Sequence, residues 1–132
     1  MRVAAHIAGA LLGLLFLFAG GTYLLGMVPD MPPPPEGSPM AMFFGAFAST
    51  GYLTFVKVLE VIGGVLVAIP RTRNAGLLVL GPIVVNIVAF HVFVTGGEGL
   101  LEPMFLVTCV LAAFVLWCQR ADWLRLITGE RV

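Results

Sequence analysis

The sequence predicts an all-α integral membrane protein, a bundle of four spanning helices with both termini on the cytoplasmic side. Three observations carry this reading. Apolar residues make up 60% of the 132 positions and charged residues 11%, with a mean hydropathy of +1.06, far from the composition of soluble domains. Four apolar runs, separated by Pro, Gly and Arg, each approach the roughly 20 residues that cross a hydrocarbon core of about 30 Å. All of the arginines fall on one side of the resulting zigzag, which is the side retained in the cytoplasm when basic residues occupy short loops.

The first run extends over 4–27. It is much longer than the 7–15 apolar residues of a signal peptide, and no small-x-small cleavage site precedes a polar chain, so a retained span is expected. Pro32-Pro33-Pro34-Pro35 lacks the amide donors that a spanning helix must satisfy internally, which makes 29–39 an extramembrane loop on the outer side. Met40, Phe43, Phe44 and Phe47 then recur at helical spacing in a stretch too short to span, predicting a short interfacial or re-entrant helix before the second span. The second span covers 52–69 and ends at Pro70. After the tight Arg71-Thr72-Arg73-Asn74 connection, the third covers 75–95, with a kink expected at Gly81-Pro82. Gly96-Gly97 opens the last outer turn, 101–118 forms the fourth span, and 119–132 is a cytoplasmic tail whose Trp123, Leu124 and Ile127 suit the headgroup region. The whole chain, 1–132, reads as one transmembrane domain.

The charge map supports the orientation. Arg2, Arg71, Arg73, Arg120, Arg125 and Arg131 lie on the inner side, whereas the outer loops carry Asp30, Glu36, Glu98 and Glu102 without a basic residue. Tyr23 and Tyr52 fall near the outer interface and Trp117 and Trp123 near the inner one. A net charge of zero and the absence of a basic, aromatic-interleaved patch argue against nucleic acid as a partner. The lipid bilayer is the expected one. No metal site is expected: Cys109 and Cys118 stand nine residues apart on one helix and on opposite faces, too far for a disulfide, and the outer methionines read as apolar filler rather than copper ligands.

Chemistry points to the second span. A charged residue near mid-bilayer costs about 2.5–3.5 kcal/mol on insertion scales, and Lys57 and Glu60 are two of them, placed at i,i+3 where they share a helix face. They form either a proton relay or counter-ion site, or an ion pair that orients the bundle. Antiparallel geometry puts Asn86 at roughly the depth of Glu60, making it a candidate ligand contact, with His91 nearer the outer surface as a group able to exchange protons. The five-residue step between them is about 140° on an ideal helix, so one partner faces both only if the kink allows it. Gly9 and Gly13 form a GxxxG, with Gly20 one heptad on, expected to admit a neighbouring helix.

The strings Leu11-Leu12-Gly13-Leu14-Leu15-Phe16-Leu17-Phe18-Ala19-Gly20, Thr50-Gly51-Tyr52-Leu53, Lys57-Val58-Leu59-Glu60-Val61-Ile62-Gly63-Gly64 and Gly81-Pro82-Ile83-Val84-Val85-Asn86 ending at Phe90-His91 resemble the DoxX family, in the family's order and over nearly the whole chain. The resemblance implies a four-helix bacterial inner-membrane protein; the family name derives from a subunit of an archaeal thiosulfate:quinone oxidoreductase, and other members are associated with oxidative-stress membrane complexes. On that basis the chain is expected to be a membrane subunit of a redox system. Glu60, Lys57 and His91 would carry the chemistry, Asn86 and Tyr52 would contact the ligand, and protein partners in a redox complex or a second copy of the chain would complete it. The residues name no cofactor; the resemblance implies a quinone. A small proton-coupled transporter and a non-catalytic membrane anchor are the alternative readings.

Overall fold

The computed structural model describes residues 1–129, and the expected inner-side Arg131 and the end of the tail lie outside them. The described residues contain six α-helices and no strand: α1 (Arg2–Leu24), α2 (Pro39–Ser49), α3 (Tyr52–Ala68), α4 (Arg73–Ala89), α5 (Pro103–Cys118) and α6 (Arg120–Thr128). A π turn over Phe90–Val94 extends α4. α1, and α4 together with its π turn, are each long and apolar enough to cross a membrane. α2 with α3 and α5 with α6 pass the same test as bent pairs, at 79° and 61°, so two helices, or up to four if each bent pair is one span, are candidates for crossing.

The packing explains why the glycines stand where they do. α3 runs antiparallel to α1, with Gly13 facing Gly64 and Gly20 facing the Lys57 carbonyl; a Cβ at Gly20 would come within 2.9 Å of that oxygen. On its other flank α3 meets α4, where Gly63 accepts Leu80 and Gly76 lies against the Val67 backbone. Adjacent Gly63 and Gly64 thus let one helix approach two neighbours at once, as small residues do where side chains would hold backbones apart. α5 closes the group against α1 and α4. The enclosed core is Ala8, Leu12 and Phe16 of α1, Val67 of α3, Leu77, Leu80 and Ile83 of α4, and Val115 of α5.

The outward faces are apolar as well. Ile7, Leu11, Leu14 and Phe18 form an exposed stripe on α1, as do Phe55, Val58, Ile62 and Val65 on α3. Helices apolar inside and out match a lipid surround rather than water.

At one end, Ser38 caps α2 by accepting the Ala41 amide at 3.1 Å, with Pro39 at the first helical position. The rings of Phe43 and Phe47 stack at 4.3 Å, and Phe43 reaches Phe90 at 4.8 Å, tying α2 to the π turn. At the other end Asn74 links two elements: its Nδ2 donates to Asp122 Oδ2 and its Oδ1 accepts from Gln119 Nε2, both at 3.0 Å. Asn74→Ala releases both bonds, so hydrogen exchange of the 120–128 amides is expected to accelerate about fivefold to tenfold, from roughly 1 kcal/mol of lost docking. Unchanged exchange would show that Trp123, which packs on the core, holds α6 alone.

The third long helix departs from α geometry away from its proline. Helix α4 carries Pro82 in its interior without interruption. The departure from α geometry comes eight residues later, where the Thr95 amide donates to the Phe90 carbonyl five residues back.

Candidate functional site

Lys57 and Glu60 form the one salt bridge among the described residues. Lys57 Nζ donates to both carboxylate oxygens, at 3.0 and 2.9 Å, the arrangement expected from i,i+3 spacing on one helix face. Glu60 is 3% exposed. Two of the three ammonium donors are thereby used, and one remains for another acceptor.

This pair lines a half-open cavity of about 360 Å³ between α1, α3, α4 and α5, a size within the usual range of small-molecule sites. Its walls are mostly apolar, with Phe16, Ile87 and Phe105 among them. Its polar groups are Lys57, Glu60, His91, Glu102, Thr108 and Cys109.

His91 stands in the π turn, and its orientation is defined. Nδ1 lies 2.8 Å from the Ile87 carbonyl. A carbonyl only accepts, so Nδ1 carries the proton and Nε2 of the neutral ring is left as the acceptor. Phe105 packs on the imidazole at 4.6 Å between centroids. Gly99, at φ +83°, leaves room on the other side, where a Cβ would come within 3.1 Å of Nε2. Any other residue at position 99 would therefore be strained and crowded against the ring.

The structure thus brings Lys57, Glu60 and His91 to one cavity and leaves Asn86 and Tyr52 apart from it. Asn86 is exposed, and its amide turns back on its own helix to donate to the Pro82 carbonyl at 2.8 Å. Depth along the axis is a poor guide here because rotation about the axis decides which side chain enters the bundle. Tyr52 is 51% exposed and packs edge-on to Phe47 at 4.7 Å, joining the aromatic cluster that docks α2.

Glu102, Phe105, Thr108 and Cys109 are the additions that sequence reasoning missed as a group. Their i,i+3/i+4 spacing from Glu102 onward marks one face of α5, but α5 is apolar all round and shows no polar stripe to identify the inward side. Cys109 lines this cavity and Cys118 a different one, and both are free thiols. Among the described residues, no group of three or more His, Cys, Asp or Glu side chains converges as a metal site.

Comparison with known proteins gives a relative without an assigned activity. The chain is similar to Uncharacterized protein YwoB of Bacillus subtilis (strain 168). The two are 26% identical over 121 residues, covering 89% of this chain and 77% of that protein. No family model matches the chain, and no solved structure matches it.

Proposed function

We propose that this chain is a DoxX-like, four-span protein of the bacterial inner membrane, with both termini cytoplasmic, acting as a membrane subunit of a redox system through a quinone-like ligand in the Lys57–Glu60–His91 cavity. Orientation is supported by the meeting of Arg2, Arg73 and Arg120 around one end of the bundle, whereas Glu102 belongs to the cavity toward the other. The family part of the reading rests on the motifs quoted above.

One observation carries the functional part: an ion pair and a histidine with a defined free acceptor line the same apolar cavity at the depth of the spanning helices. The donor set fits a quinone. A flat apolar ring suits walls such as Phe16 and Phe105; the remaining Lys57 donor can serve a quinone oxygen, and His91 Nε2 can accept from the hydroxyl of the quinol form or, when it carries a proton, donate to the quinone oxygen. A bound quinone would supply two-electron, two-proton chemistry. The chain's contribution is to hold and exchange protons: Glu60 can give or take one at its carboxylate, and His91 at Nε2, nearer the outer loop. Electrons would come from a redox partner in the same complex.

The test is binding of decylubiquinone to the purified protein in detergent. Saturable binding is expected for the wild type, weakened about tenfold in Glu60→Gln, which keeps the shape and removes the charge. His91→Ala should weaken it similarly, and Asn86→Ala should leave it unchanged. No saturable binding, or binding by the Glu60 and His91 variants as tight as that of the wild type, overturns the reading.

A further inference from the structure

A second cavity, of about 390 Å³, lies at the arginine-bearing end, where the start of α1, the α3–α4 connection and the α5–α6 junction meet. Arg2, His6, Arg73, Gln119 and Arg120 line it, and no carboxylate among the described residues does. Asp122, the nearby acid of α6, is taken by Asn74. None of these arginines has a carboxylate partner among the described residues.

Arg73 is the unusual member. It is 3% exposed, and its guanidinium makes a single hydrogen bond, from Nε to the Val67 carbonyl at 3.2 Å. Nη2 is buried without an acceptor. Helix α1 is notched to receive it: a Cβ at Gly9 would stand 2.7 Å from Nε and 2.9 Å from Nη2. Burial of an always-charged, under-bonded guanidinium is costly unless an anion compensates it. Two further arginines stand around the same space. Arg120 donates to the Trp117 carbonyl at 2.9 Å and lies 4.5 Å from the centroid of that indole, leaving most of its donors free.

We infer that this cavity binds a phosphate-bearing anion through Arg73, Arg2 and Arg120. Guanidinium forks match phosphate oxygens in pairs, and three of them exceed what one carboxylate would neutralise. The site lies where apolar outer faces end, beside exposed Val3, Ile7 and Trp117, so an anionic phospholipid headgroup and free phosphate are its two sources. Basic cavities between spanning helices on the inner side bind such headgroups.

The experiment is native mass spectrometry of the full chain from dodecyl maltoside, with dioleoylphosphatidylglycerol, dioleoylphosphatidylcholine, oleate and inorganic phosphate as separate probes. Saturable retention of phosphatidylglycerol is expected, weakened about fivefold for each of Arg2→Ala and Arg120→Ala and about 25-fold for both. Arg73→Met should remove it. The Arg2/Arg120 pair leaves the buried side chain in place and keeps the test decisive if Arg73→Met does not fold. Displacement of phosphatidylglycerol by millimolar phosphate supports the headgroup source; retention of phosphate without phosphatidylglycerol supports the free ion. Retention of neither, equal retention of phosphatidylcholine or oleate, or undiminished binding by the double variant overturns the inference.

Discussion

Gly13→Leu is expected to destabilise the protein by roughly 3 kcal/mol, the upper end of the cost of overpacking a close-packed site, while Gly21→Leu on the same helix is expected to be neutral or slightly stabilising. A Cβ at Gly13 would meet the Gly64 carbonyl at 2.5 Å and Ala68 Cβ at 2.8 Å, whereas one at Gly21 meets nothing within 4 Å. The first obstacle is backbone, which no rotamer change relieves, so α1 and α3 must separate along their whole seam. Leucine is the better helix former at both positions by somewhat less than about 1 kcal/mol, so opposite signs isolate the packing contribution. Thermal unfolding of both variants in one detergent is the measurement; equal midpoints would mean that the α1–α3 contact is not what holds the bundle.

How much of this was legible follows from which physical signal each feature leaves in one dimension. The apolar runs and their Pro and Gly interruptions place α1 to α5 within a few residues, whereas α6 was legible only as a tail suited to the headgroup region. The expected run over 4–27 and α1 at Arg2–Leu24, or 75–95 and the helix ending at Val94, differ only at their ends. The Lys57–Glu60 bond was legible because i,i+3 geometry is local. The GxxxG announced a close approach but not its partners: Gly13 meets Gly64, and Gly9 makes room for Arg73. Arg73 itself reads as a loop residue, since a basic residue in a short connection has a topological explanation already. Nothing in its neighbours indicates that its guanidinium folds inward. Which of Asn86 and His91 turns toward the ion pair was illegible for a related reason. Both sit on a helix apolar on every side, so rotation about the axis had to be guessed from ideal 3.6-residue geometry, and the π turn beginning at Phe90 alters that geometry one residue before His91.

Lys57→Met alone is expected to cost about 3–5 kcal/mol, because it leaves a carboxylate that is 3% exposed without its partner. Glu60→Leu alone should cost less. The Lys57 side chain is 21% exposed, and a flexible four-carbon stem allows its ammonium to seek a wetter position. Lys57→Met with Glu60→Leu should return to within about 1 kcal/mol of the wild type, since a well-packed apolar pair commonly replaces a buried ion pair without loss. The order, lysine variant worst and double variant best, is read by unfolding in detergent and gives the coupling energy directly. The same three proteins separate the two roles open to the pair. If the pair serves the cavity, the double variant recovers stability and still fails to bind decylubiquinone, because the donor and the exchangeable proton are gone. If it only orients the bundle, stability and binding return together. Recovery of stability without binding is the expected result, because the pair lines the cavity alongside His91, and a purely orienting ion pair gains nothing from facing a space of that size.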